Sequence, residues 1–570
     1  MRPLTLVPWP KRAQNHPGTF ELTDEVGIEA GPGTQGVARL LRAQLSPAMG
    51  FQLRSGDTKR RIRLGLDASS ERLGGEGYRL NVEPDGLRVT AARVAGLLNG
   101  AQTLRQLLPV DIYRSAAVRG TRWEVPCAEV EDVPRYSWRG ALLDVARHFA
   151  PQPFLLRFVD LLAMHKMNVL HLHLTDDQGW RFPSELYPRL NEVGSWRRQS
   201  TLGHSRDQRR AQGERYDGTP HGGFYTQTQL RDLVNYANER NVTVVPEIDF
   251  PGHTQAAIAA YPELGNLSQA LEVGCDWGIS NHVLNLEAST VQFCRDILSE
   301  VAAIFQSPFI HVGGDECPRV EWQTSLSAAA RIRRGDAPGV DGLQSWFTNQ
   351  LNDHLNAEGR RLVGWDEILE GGGVPEGAVV MSWRGEGGGV FAARAGLEVV
   401  MCPEHPCYFY HYQSSDPGEP LAAGEIVTLE DVHAYEPRPS LLGDGSSGHV
   451  LGAQFQLWSE YMPTTADVEY MAFPRGCAFS EVVWSSDRPD FAQFRARLAD
   501  HLQRLEVLGV NFRPLDGPRP WQVGGTGPRG RVEVPPWEPS RDPVSRRQLG
   551  PSGPLGRDAS ASPGGCGARP

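Results

Sequence analysis

Eight short apolar runs recur between about Val130 and Trp521, and each closes on polar or aromatic residues: "RGALLDVAR", "MNVLHLHLTDDQ", "NVTVVPEIDFPGH", "FIHVGGDE", "RLVGWDE", "AVVMSW", "LEVVMCP" and "HVLGAQFQLWSE". Several of the segments between them carry helical spacing. "PFLLRFVDLLAMHK" sets Phe154, Phe158, Leu161 and Leu162 three to four apart, and "TQLRDLVNYANER" reads the same way. Strands alternating with helices eight times over predict a (β/α)8 TIM barrel. In such a barrel the carboxyl ends of the strands meet at one mouth, so function is to be read from the polar endings.

At 570 residues the chain exceeds one compact domain. Residues 1–132 read as a small α+β domain, with a strand at "RIRLGLDA", a hairpin in "GYRLNVEPDGLRVTAA" turning at Asp85-Gly86, and a helix in "VAGLLNGAQTLRQLL". Residues 133–521 hold the barrel. Residues 522–570 form a Pro/Gly/Arg-rich tail without periodic apolar positions and are expected to be disordered. A net charge of -11 argues against nucleic acid as a partner, since polyanion binding relies on clustered Lys and Arg. No run approaches the roughly 20 apolar residues of a membrane span, so no membrane partner is expected. The opening "MRPLTLVPWPKRAQNHPGTF" places apolar residues before basic ones, the reverse of a secretory leader. Eight cysteines, scattered without a CxxC pair, suit reduced thiols, and together these features predict a cytoplasmic location.

The endings supply Arg147, Asp176, Asp177, Asp249, His253, Asp315, Glu316, Trp365, Trp383, Trp458 and Glu460. Tryptophan faces stack on the C–H faces of sugar rings while carboxylates and Arg bond hydroxyls, so the mixture suggests a carbohydrate pocket. Singly, a Trp is more often core and an Asp at a strand end more often a helix cap; the repetition of one chemistry raises the odds. Asp315 and Glu316 are neighbours, their Cα atoms about 3.8 Å apart. An ordinary retaining glycosidase holds its two carboxyl groups about 5 Å apart across the anomeric carbon, and adjacent side chains fit that poorly. An arrangement that survives has Glu316 protonate the leaving oxygen while Asp315 holds the N–H of a 2-acetamido group, whose carbonyl oxygen attacks to give an oxazolinium intermediate.

The blocks "LDVARHF", "HLHLTDDQGWR", "PEIDFPGHT", "HVGGDE", "VGWDEIL" and "LWSEYMPTTADVEYMAFPR" together resemble the family 20 glycoside hydrolases, the β-N-acetylhexosaminidases, over about Trp138 to Trp521. The resemblance implies a small α+β domain before the barrel and substrate-assisted cleavage, with retention, of terminal β-linked N-acetylglucosamine or N-acetylgalactosamine. It implies Glu316 as general acid and base, Asp315 as the residue that orients the acetamido group, and Tyr408 as donor to its carbonyl oxygen. Arg147 would grip the O3 and O4 hydroxyls and Glu460 bond O4 or O6, while Trp365, Trp383 and Trp458 wall the acetamido methyl and floor the ring. Asp176 and His253 would tune Glu316, and Asp249 would support His253. One position departs: Tyr410 stands where the resemblance leads one to expect Asp or Asn, which bears on gluco against galacto preference and on a modified O6.

Two other readings are open to the residues. His171 and His173 in "HLHL", with His253, His311 and Asp315, could serve a metal-dependent barrel hydrolase; their position inside the strand favours imidazoles bonded within the barrel. A sugar-binding homologue without catalysis is the other, disfavoured by the presence of Asp315, Glu316 and Tyr408 together. No metal and no cofactor are expected, and the substrate is expected to be a small oligosaccharide or glycoconjugate. The arginine-rich stretch "RRQSTLGHSRDQRRAQGERYDGTPHGG" reads as a solvated surface loop.

Overall fold

The computed structural model describes residues 3–524, apart from residues 57, 205–214, 268, 373–374 and 444–447. Most of the tail expected to be disordered, with Cys566, and the centre of the arginine-rich loop lie outside the described residues.

The amino-terminal part is a seven-stranded mixed sheet whose order across the sheet is Arg12–Leu22, Trp123–Asp132, Tyr78–Glu83, Gly86–Ala91, Arg61–Leu66, Gly27–Ala30 and Arg54–Ser55. The hairpin forms one residue earlier than the sequence suggests. Glu83 pairs with Gly86, so the turn residues are Pro84 and Asp85, and Gly86 already belongs to the returning strand. Proline has its φ fixed near the value the first turn position needs, and that outweighs the Asp-Gly signal. The helix Val94–Leu107 is buried along nearly its whole length.

A buried polar junction ties this sheet to the carboxyl-terminal part of the chain. Asp132, at the end of its strand, accepts hydrogen bonds from Lys166 Nζ (2.7 Å), Tyr78 Oη (2.8 Å) and Trp484 Nε1 (2.9 Å). Arg139 grips Glu76 through both guanidinium ends, at 3.0 and 2.6 Å. Planar fork-to-carboxylate pairing of this sort fixes orientation as well as distance.

The remainder is a closed parallel barrel of eight strands: β1 (Trp138–Asp144), β2 (Val169–His173), β3 (Thr243–Glu247), β4 (Phe309–His311), β5 (Arg361–Trp365), β6 (Val379–Ser382), β7 (Glu398–Met401) and β8 (Val450–Leu457). Every one of the eight apolar runs is a barrel strand. The strands read as continuous rather than alternating hydrophobic runs because both faces are covered, by the barrel interior and by the outer helices. Helices Gln152–Met164 and Gln227–Asn238 lie where the apolar spacing placed them, the second opened by a reciprocal cap between Thr226 and Gln229. The β5 to β6 connection departs from the simple repeat: among the described residues it holds only a 3-10 turn, Asp366–Leu369.

Strand register positions the site. Asp144 pairs with His173, His173 with Glu247, and Glu247 with His311. Four strands thereby present titratable side chains at one level near the mouth. No helix of the described residues is long and apolar enough to cross a membrane. The seven described cysteines are all free.

Candidate functional site

The mouth is braced before any substrate enters it. Asp144 accepts hydrogen bonds from the amides of Ala146 (2.8 Å), Arg147 (3.1 Å) and Ser459 (3.0 Å), which binds the end of β1 to the end of β8. Arg147, itself buried, bonds Asp176 (2.7 Å) and Gln178 (3.1 Å) and lies over the Trp458 ring at 5.2 Å.

His171 and His173 point inward from β2 and cannot be solvated, so both find a carboxylate. Glu247 Oε2 takes His173 Nδ1 at 2.6 Å and lies 3.0 Å from His171 Nε2, whose Nδ1 meets Gln454 Nε2 at 2.9 Å; Glu247 Oε1 accepts from Trp365 Nε1 at 2.9 Å and lies 3.0 Å from His311 Nδ1. The barrel histidines are bonded within the barrel, as their place inside the strand suggests. Burial works against charge on His173, but the Glu247 and Asp176 carboxylates outweigh it and raise its pKa to about 10.

From His173 the chain of contacts runs outward. Its Nε2 lies 2.9 Å from Asp176, and Asp176 lies 3.2 Å from His253 Nδ1. Burial disfavours the Asp176 charge, yet Arg147 and His253 hold its pKa well below the carboxylate range. His253 Nε2 then sits 3.7 Å from Asp315 and 3.6 Å from Glu316. His253 is buried, which opposes its charge, and Asp176 and Asp315 still push its pKa well up.

The acidic pair stands on unusual backbone. Gly313 and Gly314 have φ of 67° and 95°, and Glu316 itself has φ 47°. A Cβ on Gly313 would lie 1.7 Å from Asp249 Oδ1, so no other residue fits there. Asp249 Oδ1 accepts the Gly314 amide at 3.1 Å, and Asp249 hydrogen-bonds Asp315. Burial, then the neighbouring Asp315, drives the Asp249 pKa far up, with His253 opposing. The Asp315 pKa is also raised, by burial first and then by Glu247 and Glu316, with His253 opposing. Asp249 thus meets Asp315 directly, and it stands within 4.8 Å of His253 as well.

Aromatic rings close the remaining sides. Trp365 and Trp458 pack at 5.8 Å, and Trp383 stacks on Tyr408 at 6.1 Å with 22° between the planes. Tyr410 packs edge-on against Tyr408 at 5.6 Å. An open cavity of about 690 Å³ adjoins them, with Asp177, Gln178, Trp277, Glu316, Tyr410, Glu460 and Tyr461 among its lining residues. Burial raises the Glu460 pKa to about 7 even though Arg147 pulls the other way. The structure therefore gathers at one mouth the residues singled out from the sequence. It adds Asp144, Gln178, Glu247, Trp277 and Glu367, which sequence reasoning passed over; the closely spaced acids of "PEID" and "WDEI" were the available signal for two of them.

Residues 136–487 match the catalytic domain of glycosyl hydrolase family 20, and residues 4–133 match domain 2 of that family. A β-hexosaminidase of Porphyromonas gingivalis is 38% identical over 531 residues, covering 92% of this chain, which spans 66% of that longer protein. Among solved structures, the β-N-acetylhexosaminidase of Streptomyces coelicolor A3(2) superposes with a TM-score of 0.78 at 30% identity, covering 91% of this chain and 99% of its own. The exo β-N-acetylglucosaminidase of Vibrio harveyi, solved with N-acetylglucosamine, gives 0.78 at 29% identity, covering 90% of this chain and 78% of its own.

Proposed function

The chain belongs to glycosyl hydrolase family 20 and is a glycoside hydrolase; on that premise we propose that it removes terminal β-linked N-acetylhexosamine from the non-reducing end of a small oligosaccharide or glycoconjugate, with retention, using the substrate's own acetamido oxygen as nucleophile. One observation carries the mechanism. Asp315 and Glu316 leave the same strand end and both approach one imidazole nitrogen, at 3.7 and 3.6 Å. They stand side by side, whereas a protein nucleophile would have to face the acid across the sugar ring.

Glu316 is the more exposed of the two, its side chain 36% accessible against 13% for Asp315, and so the one able to meet a leaving oxygen at the open side. It delivers the proton to the glycosidic oxygen while the acetamido carbonyl oxygen attacks the anomeric carbon. The C–O bond to the leaving group breaks, and a bicyclic oxazolinium forms. Positive charge develops at the amide nitrogen, and Asp315 accepts that N–H. Asp249 bonds Asp315 on the far side and keeps it aimed. Tyr408 donates to the acetamido oxygen, and Trp365, Trp383 and Trp458 exclude water from the socket. Glu316 then takes a proton from water as it opens the oxazolinium, restoring the β-configuration. Arg147 and Glu460 hold the sugar hydroxyls. The ligand of the Vibrio harveyi neighbour supports N-acetylglucosamine as the terminal sugar.

A proton NMR time course on p-nitrophenyl N-acetyl-β-glucosaminide should show the β-anomer first, and the matching β-glucoside should turn over at least about a thousandfold more slowly, as expected when the nucleophile is removed. Initial release of the α-anomer, or brisk glucoside cleavage, refutes the mechanism.

A further inference from the structure

Trp383 is held by two consecutive acids from the neighbouring strand end. Asp366 Oδ2 accepts the Trp383 amide at 3.2 Å, and Asp366 Oδ1 accepts Arg384 Nε at 2.6 Å. Glu367 Oε2 accepts the indole Nε1–H of Trp383 at 3.0 Å. Asp366 therefore fixes the backbone, and Glu367 fixes where the ring lies. The ring so fixed is the one stacked on Tyr408 at 6.1 Å.

An acid in that position needs a physical reason, because Asp315 is already close. Glu367 is buried, and burial, followed by the Asp366 and Asp315 charges, pushes its pKa well above the ordinary range, with Arg384 opposing. Arg384 lies 3.6 Å from its Oε1 and also bonds Glu370 at 2.8 Å. Glu367 Oε2 accepts the indole hydrogen in either charge state, and the Arg384 guanidinium offsets its charge beside Asp315.

We propose that Glu367 is a specificity-determining positioning residue: by pinning the Trp383 indole against Tyr408 it sets the width of the acetamido socket and restricts the N-acyl group to acetyl. The proposal rests on the reading that Trp383 and Tyr408 enclose the acetamido group. An unpinned indole would swing on its side-chain torsions and admit a longer acyl chain. Discrimination against added methylenes in an apolar pocket spans roughly 10- to 200-fold, and that margin is what the hydrogen bond protects.

The test compares kcat/KM for p-nitrophenyl β-glycosides of N-acetyl- and N-butanoyl-glucosamine in the full-length protein, its Glu367→Gln variant, which keeps an acceptor, and its Glu367→Leu and Glu367→Ala variants, which do not. The butanoyl-to-acetyl ratio should rise about tenfold or more in both apolar variants and stay within about threefold of wild type in the Gln variant. Equal loss on both substrates in a folded apolar variant overturns the proposal. Hydrogen exchange at the Trp383 indole decides it without any variant: slow exchange in the wild-type protein is expected, and rapid exchange overturns it. Brisk cleavage of plain glucosides by the wild type would sink the acetamido reading instead. An acetamido-dependent enzyme with an unchanged ratio in Glu367→Leu would sink this inference alone.

Discussion

Asp315→Asn isolates the charge that the proposed mechanism requires, since the amide keeps the volume and one acceptor oxygen of the carboxylate. The residue is nine-tenths buried, and its surroundings are fixed: Asp249 on one side and His253 at 3.7 Å on the other. Against a neutral acetamido N–H the substitution weakens a single hydrogen bond, an effect of about 1 kcal/mol. Against the oxazolinium it removes a full negative charge opposite a developing positive one. At about 4 Å and an effective dielectric near 20 that attraction is about 4 kcal/mol. The difference, about 3 kcal/mol, falls on the transition state alone and corresponds to a loss of roughly a hundredfold in kcat, with KM changed by less than about fivefold. The assay is steady-state release of p-nitrophenol from the N-acetyl-β-glucosaminide, run with a thermal melt to confirm folding. A variant retaining kcat within threefold of wild type would refute the reasoning. So would a loss expressed wholly in KM, which would make Asp315 a ground-state binding residue.

Gly313→Ala should lower thermal stability by a few degrees and activity by more than about a hundredfold, because the new Cβ meets Asp249 Oδ1 at 1.7 Å and displaces the partner of Asp315; a melting curve and the chromogenic assay check both. Glu460 has a pKa near 7 in the folded chain against 4.5 as its ordinary value, so the folded state holds more protons between those values and stability falls as pH rises through that window. Glu460→Gln should flatten that part of a plot of melting temperature against pH.

How far the sequence could be read depended on whether a residue's partner was local. The strands were legible because each is a continuous apolar run, and the endings because their chemistry repeats. Glu247 was not. Its partners His171, His173 and His311 come from other strands, and only the parallel register, Glu247 beside His173 and beside His311, brings them together. That register is set by crossover helices and leaves no trace within "NVTVVPEIDF". Glu367 was missed for the same reason, since its partner Trp383 lies just past the end of the next strand. The hairpin slipped by one residue because Pro84 competes with the Asp-Gly pair for the turn.

The doubled glycine of "HVGGDE" is the local trace of a problem the fold had to solve. Successive side chains of an extended strand point to opposite faces, so a strand continued through Asp315 and Glu316 would send one of them away from the mouth. The chain instead leaves extended geometry after His311, curls through two glycines at positive φ, and sets Glu316 itself in the left-handed region at φ 47°. His253, which faces the pair from the loop that follows β3, is also left-handed, at φ 52°. Non-glycine residues in that region cost on the order of 1–2 kcal/mol each. Two such residues, opposite each other with their polar atoms 3.6 Å apart, place the strain where both acids must face one imidazole. Under the proposed mechanism that cost serves a purpose, since a carboxylate nucleophile would instead have to face the acid across the sugar ring.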